Sequence, residues 1–136
     1  MELSNGRNLL LERPAANIWV VRFTRPDPRK QLDGAGVEDC DLYQDLNAAV
    51  LSRLAPGEAL VLNFGLVHYF PTAFYQVLLQ VRAGVLTRQA RMILCAFSNE
   101  IQESVRLFKG DKVFEIVSCE EHAIRRANEP APGSRF

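Results

Sequence analysis

Short apolar runs alternate along the chain with segments of helical period, a pattern typical of an α/β fold. Residues 18–23 are rich in β-branched and aromatic side chains, and residues 59–64 and 91–97 are apolar except for Asn63 and Arg91. Runs this short and continuous are typical of strands buried on both faces. The pattern therefore predicts strands there, a first strand near 9–13 that pairs with 18–23 as a hairpin, and a last strand over 112–117.

Apolar residues recur every three or four positions in three further segments, which is the spacing of one helix face. The predicted helices cover residues 39–54, 71–85 and 98–108. Pro71 suits the first position of a helix because it lacks the N–H that is unpaired there, and Ser98 is a predicted N-cap. Ser118 and Glu121 have the spacing of a capping box for a closing helix that ends near Ala127.

This order of elements predicts a single domain with a mixed, largely parallel sheet of about five strands and about four helices. The 136 residues suit one hydrophobic core. We expect the domain over residues 1–127 and a flexible C-terminal tail over 128–136, where prolines and a glycine break any period. Residues 24–38 have no period either and predict a long surface loop. Either that loop shapes a partner surface or it is a tolerated insertion.

Charge and hydropathy limit the surroundings in which the protein works. Sixteen basic side chains balance sixteen acidic ones, so nothing predicts a nucleic-acid partner. No run of eighteen apolar residues occurs, and residues 1–7 lack the apolar stretch of a secretory signal, which predicts a cytoplasmic protein without a membrane segment. Three widely spaced cysteines, without a Cys-x-x-Cys motif, are expected to be reduced packing residues. They are Cys40, Cys95 and Cys119.

Residue patterns that support catalysis do not occur in the sequence. His68 and His122 are its two histidines, and neither has a second ligand at a metal-binding spacing. No Gly-x-Ser-x-Gly motif is present. Gly34-Ala35-Gly36 lacks the third glycine and the lysine of phosphate-binding loops. We therefore predict a protein that is not an enzyme and that uses no metal or cofactor.

The densest group of aromatic residues lies at the predicted start of the second helix, beside Pro71. It consists of Tyr69, Phe70, Phe74 and Tyr75. One helix stripe cannot bury all four, and aromatic residues that point outward often anchor protein partners. The alternative is that Phe70 and Phe74 belong to the core while Tyr69 and Tyr75 only keep their hydroxyls in water.

Thr72 falls in the first turn of the same predicted helix. Free backbone N–H groups and the positive end of the helix dipole favour an anion there. A phosphate on Thr72 would therefore be compatible with the helix. The alternative is that Thr72 only caps the turn.

The stretch Ala59-Leu-Val-Leu-Asn-Phe-Gly-Leu-Val-His-Tyr-Phe-Pro-Thr-Ala-Phe74 resembles the STAS domain of anti-sigma-factor antagonists, and the resemblance runs from about Leu9 to Ala127. In that family a strand ending in Asp-Leu-Ser precedes a turn Phe-Ile-Asp-Ser-Ser-Gly that opens a helix, and a kinase phosphorylates the first serine of the turn. Here residues 63–65 and 69–74 stand in those places. Asn63 and Pro71 replace the acids, and the hydroxyl of Thr72 remains.

The resemblance implies a non-enzymatic regulatory module for signal transduction and transcription regulation. It implies docking of an anti-sigma-factor-type serine/threonine kinase through residues 67–75, with Thr72 as the phosphorylation candidate. The implied partner-binding residues are Asn63, His68, Tyr69, Phe70, Pro71, Thr72, Ala73 and Tyr75. Two other functions stay open, namely a module that senses a nucleotide or lipid and an unregulated scaffold subunit. A homo-oligomer is compatible with the sequence.

Overall fold

The computed structural model describes residues 9–23, 50–67 and 72–128. Five strands form one sheet in chain order, and they are β1 (Leu9–Ala15), β2 (Ile18–Phe23), β3 (Ala59–Asn63), β4 (Arg91–Cys95) and β5 (Glu115–Val117). β1 is antiparallel to β2, and all later neighbours are parallel. The largely parallel five-stranded sheet is therefore confirmed. The predicted 24–38 loop, most of the predicted 39–54 helix and all but the first residue of the 128–136 tail lie outside the described residues.

Within the described residues, three α-helices cover the two faces of the sheet. They are α1 (Thr72–Thr87), α2 (Asn99–Leu107) and α3 (Glu120–Ala127), with short 3-10 turns over Leu51–Arg53 and Gly110–Lys112. α1 and α2 contribute to the larger core on one face, and α3 packs on the other. In the part of the chain that the structure describes, no helix is long and apolar enough to cross a bilayer.

Of the two helix caps predicted from the sequence, the structure confirms one and contradicts the other. Ser98 is the N-cap of α2, and its Oγ accepts a hydrogen bond from the Ile101 N–H at 3.2 Å. The predicted Ser118–Glu121 capping box is wrong, because α3 begins at Glu120 after an N-cap at Cys119 that has no side-chain bond. The helix thus starts one residue too late for Ser118 to cap it.

Alternation along β3 divides its side chains between two cores. Leu60, Leu62 and the following Phe64 face α1 and α2, whereas Val61 belongs to the core under α3. The first core is larger and includes Trp19, the single tryptophan of the chain. The second is small, and α3 contributes one fully buried residue to it, Ala123. Apolar burial alone therefore anchors α3 weakly.

Ionic contacts supply additional anchors at both ends of α3. Near its C-terminal end, Arg91 donates to both carboxylate oxygens of Glu115, at 2.8 and 2.6 Å, and Arg126 donates to one of them at 2.7 Å. Arg91 also donates to the Arg126 carbonyl at 2.9 Å. At the other end, Glu120 accepts from Arg22. α3 is therefore fixed to the sheet through charged groups at each end.

Candidate functional site

The candidate site lies where the parallel strands end. Arg22, Asn63, Cys95 and Val117 are successive cross-strand neighbours in β2 to β5. We call this row, together with Glu120 at the start of α3, the carboxyl edge. Open α/β sheets bind ligands and partners at this side because the connecting loops and helix starts meet there. Here β3 ends at the carboxyl edge, and the next described helix, α1, begins at Thr72.

Glu120 is the centre of the contacts at the carboxyl edge. Arg22 donates from Nε to Glu120 Oε1 at 2.9 Å and from Nη2 to Oε2 at 2.6 Å. Asn63 Nδ2 donates to the same Oε1 at 2.9 Å. The other Nη of Arg22 forms an ion pair with Glu12 of β1. This two-pronged arginine–carboxylate geometry is among the stronger and more directional polar contacts in proteins.

Asn63 also fixes the turn that follows β3. Its Oδ1 accepts a hydrogen bond from the Gly65 N–H at 2.7 Å, and the Val67 N–H donates to the Phe64 carbonyl at 3.0 Å. A side chain at position 65 would bring Cβ within 3.0 Å of Asn63 Oδ1, so glycine permits this close approach. The turn buries Phe64 and Val67 and leaves Leu66 58% exposed.

The start of α1 is described in part. Thr72 and Ala73 are the first two residues of the helix, and His68, Tyr69, Phe70 and Pro71 lie outside the described residues. Tyr75 is half-buried, with its ring stacked on Phe108 at 5.2 Å and edge-on to Phe114 at 5.8 Å. Its hydroxyl donates to the Phe108 carbonyl at 3.3 Å. Tyr75 therefore joins α1 to the end of α2 as well as standing near the helix start.

Sequence reasoning missed Arg22, Glu12 and Glu120. Arg22 is the one charged residue of β2, in a strand that is otherwise apolar. That position is a usable signal, since a charged side chain in a buried strand generally has a partner. The identity of the partner was not readable from spacing, because Glu120 lies 98 residues further along the chain.

Cys95 is a buried thiol at the same edge. Burial raises its pKa to about 12, the neighbouring Glu120 and Cys119 add to this effect, and Arg22 opposes it in part. A thiol with so high a pKa is protonated at neutral pH and is a weak nucleophile. Among the described residues, no group of three His, Cys, Asp or Glu side chains is arranged to hold a metal ion.

The two described cysteines should react with a maleimide at very different rates. Cys119 is exposed, whereas Cys95 is buried. In the native protein we expect Cys119 to be modified roughly 100-fold faster than Cys95, and the two rates to converge in denaturant. Peptide mass spectrometry after timed quenching measures both rates in one sample. Equal rates in the native protein would contradict the buried position of Cys95.

Several solved structures resemble this chain, at least three of them over most of its length, although no protein-family model and no curated protein matches its sequence. A STAS domain protein from Planctomyces limnophilus has a TM-score of 0.70 and 18% identity, over 88% of this chain and 97% of the other. The anti-sigma factor antagonist SpoIIAA in its unphosphorylated form has a TM-score of 0.61 and 16% identity, over 89% and 98%. Phosphorylated SpoIIAA, a Bacillus cell fate determinant, has a TM-score of 0.61 and 19% identity, over 88% and 99%. The chain therefore has the fold of the STAS domain, as the resemblance in its sequence predicted.

Proposed function

We propose that this chain is a non-enzymatic regulatory module that docks a protein partner through the turn and helix start over residues 67–75. The observation that carries the proposal is that α1, a helix of 16 residues, begins at Thr72 and is the first described helix after β3, which ends at the carboxyl edge. The free N–H groups of a first helical turn favour an anion. Thr72 thus combines a hydroxyl with a backbone setting that accepts a phosphate.

The partner proposed is an anti-sigma-factor-type serine/threonine kinase. Its support is the similarity to SpoIIAA, which is described as an anti-sigma factor antagonist and has been solved in unphosphorylated and phosphorylated forms. The proposed docking residues are Asn63, His68, Tyr69, Phe70, Pro71, Thr72, Ala73 and Tyr75. Leu66 adds an exposed apolar side chain beside them. In this proposal the protein acts in the cytoplasm and regulates transcription.

Phosphorylation of Thr72 would switch the docking surface by charge. A phosphate adds about −1.5 to −2 charges. At the start of α1 that charge faces free N–H groups and the positive end of the helix dipole, so the helix keeps its structure. The partner instead meets a strongly hydrated group in what was an apolar contact, and it loses affinity.

Affinity capture with wild type, Thr72→Glu and Thr72→Ala tests the docking and the switch together. We expect Thr72→Glu to recover at least about tenfold less kinase than wild type, a loss of about 1.4 kcal/mol. Thr72→Ala, the matched control that removes the hydroxyl without adding charge, should recover much more kinase than Thr72→Glu. The recovered kinase with ATP should phosphorylate wild type at Thr72 and leave Thr72→Ala unmodified there, which peptide mass spectrometry detects. Thermal melting of both variants verifies that they are folded.

Other outcomes would contradict the proposal. Equal kinase recovery by wild type and Thr72→Glu, with no phosphate on Thr72, would exclude the switch. A stable homo-oligomer in light scattering, with no partner recovered, would favour the scaffold function. A rise in melting temperature with a nucleotide or a fatty acid, again with no partner recovered, would favour the ligand-sensing function.

A further inference from the structure

We propose that Glu120, at the start of the last helix, is a positioning residue for the docking turn and acts on it through Asn63. This inference rests on the proposed function, because the turn over residues 64–67 leads into the proposed docking segment. Glu120 itself lies in another element, α3, and its side chain is 22% exposed. Its effect on docking would thus reach the partner through the shape of the turn.

The two ends of the Asn63 amide have different partners, and this fixes its orientation. The Gly65 N–H requires an acceptor, so it meets Oδ1 at 2.7 Å. The Glu120 carboxylate requires a donor, so it meets Nδ2 at 2.9 Å. An asparagine satisfies both neighbours at once, whereas an aspartate has no donor for Glu120 and would bring two carboxylates together.

Glu120 is itself held in place from the opposite side. Arg22 donates to both of its carboxylate oxygens and is paired in turn with Glu12. The resulting chain of contacts runs from β1 through β2 and α3 to the turn after β3. All three ionic side chains are at most about one-third exposed, with 34% for Arg22 and 31% for Glu12. Hydrogen bonds and ion pairs in such partly buried networks restrict the side chains that form them more than the same contacts in open water do.

The geometry of the turn depends on this anchor. Gly65 approaches Asn63 so closely that a Cβ at position 65 would touch Oδ1. If Asn63 rotates away, the Gly65 N–H loses its acceptor, and the turn keeps the bonds from the Val67 N–H to the Phe64 carbonyl and from the Phe64 N–H to the Cys95 carbonyl. The exposed Leu66 lies between Gly65 and Val67 in the sequence. The direction of its side chain would then vary, and ordering it on binding would cost affinity.

An exchange of amide and carboxylate between positions 63 and 120 provides the test. In Asn63→Asp, two carboxylates face each other and the side chain at position 63 is driven away from Glu120. In Glu120→Gln, the side-chain amide can still accept from Asn63, but the ionic pairing with Arg22 is lost. In the double variant Asn63→Asp, Glu120→Gln, the aspartate accepts from Gly65 and from the new amide, so the connection is restored with its direction reversed.

Hydrogen exchange of the Gly65 amide, followed by NMR, reads the turn without any partner. We expect exchange to be at least about tenfold faster in Asn63→Asp than in wild type, and within about threefold of wild type in the double variant. Kinase capture should fall in Asn63→Asp and recover in the double variant. Glu103→Gln, which removes an exposed ion pair with Arg106, should change neither reading and serves as the control.

The readings separate this inference from the proposed function. Unchanged Gly65 exchange in Asn63→Asp, or a double variant no better than the single one, would overturn the positioning role of Glu120. If Gly65 exchange is rescued in the double variant but kinase capture never changes, the connection between Glu120 and the turn is supported. The same outcome would remove the turn from the docking surface and so contradict the proposed function.

Discussion

Replacing Phe64 with alanine is expected to lower the free energy of unfolding by about 3–5 kcal/mol. Phe64 is completely buried, and its ring lies 4.9 Å from the rings of both Phe23 and Phe97. Alanine would leave a cavity between two aromatic side chains, Phe23 at the end of β2 and Phe97 in the segment after β4. Urea unfolding, followed by the fluorescence of the buried Trp19, measures the change.

Leu66→Ala is the matched control for that substitution. Leu66 belongs to the same turn but is 58% exposed, so its loss should change the free energy of unfolding by no more than about 0.5 kcal/mol. Similar destabilisation by both substitutions would contradict the burial of Phe64 and the exposure of Leu66. Leu66→Ala should nevertheless reduce partner capture, because the turn presents this side chain beside the proposed docking residues.

The sequence predicted the central strands well because their burial is visible in composition. Residues 59–63 and 91–95 are covered on both faces, so their apolar runs carry a polar residue only at one end, Asn63 in the first and Arg91 in the second. The last strand was predicted too long, over 112–117. Val113 and Phe114 are apolar, but a left-handed Lys109 and the 3-10 turn over Gly110–Lys112 come first, and the strand is Glu115–Val117. Hydrophobicity alone does not distinguish a buried turn from a short strand.

The site was only partly predictable for a similar reason. A proline followed by a helical period indicated a helix start, and α1 begins at Thr72, next to Pro71. The sequence has Asn63 where the resembled family has an acid, and it gave no sign that the Glu120 carboxylate lies 2.9 Å from the Asn63 amide. A contact between residues so far apart in sequence depends on the fold and leaves no spacing to detect. The docking role of Asn63 and of residues 67–75 stays a prediction.

Replacing Glu115 with alanine should lower the free energy of unfolding by about 2–4 kcal/mol. The Glu115 carboxylate lies between Arg91 and Arg126 and accepts three hydrogen bonds from them. The side chains of Arg91 and Glu115 are 14% and 15% exposed, so water can replace the lost bonds only in part. The substitution also leaves two positive charges close together and weakens the C-terminal anchor of α3, whose apolar contact is small. Urea unfolding with Trp19 fluorescence measures the loss.

Glu103→Ala tests whether burial, rather than charge alone, determines the effect at position 115. The Glu103–Arg106 pair has the same kind of groups at a 2.8 Å separation, but both side chains are more than 60% exposed. Exposed pairs of this kind contribute about 0.5 kcal/mol or less. Each substitution removes a glutamate carboxylate, one exposed and one largely buried. The difference between the two losses in the free energy of unfolding therefore reports how much the exclusion of water around Glu115 contributes. Equal effects would show that α3 is held to the sheet mainly by its apolar contacts. The ionic contacts of Glu115 would then orient α3 without adding to the free energy of unfolding.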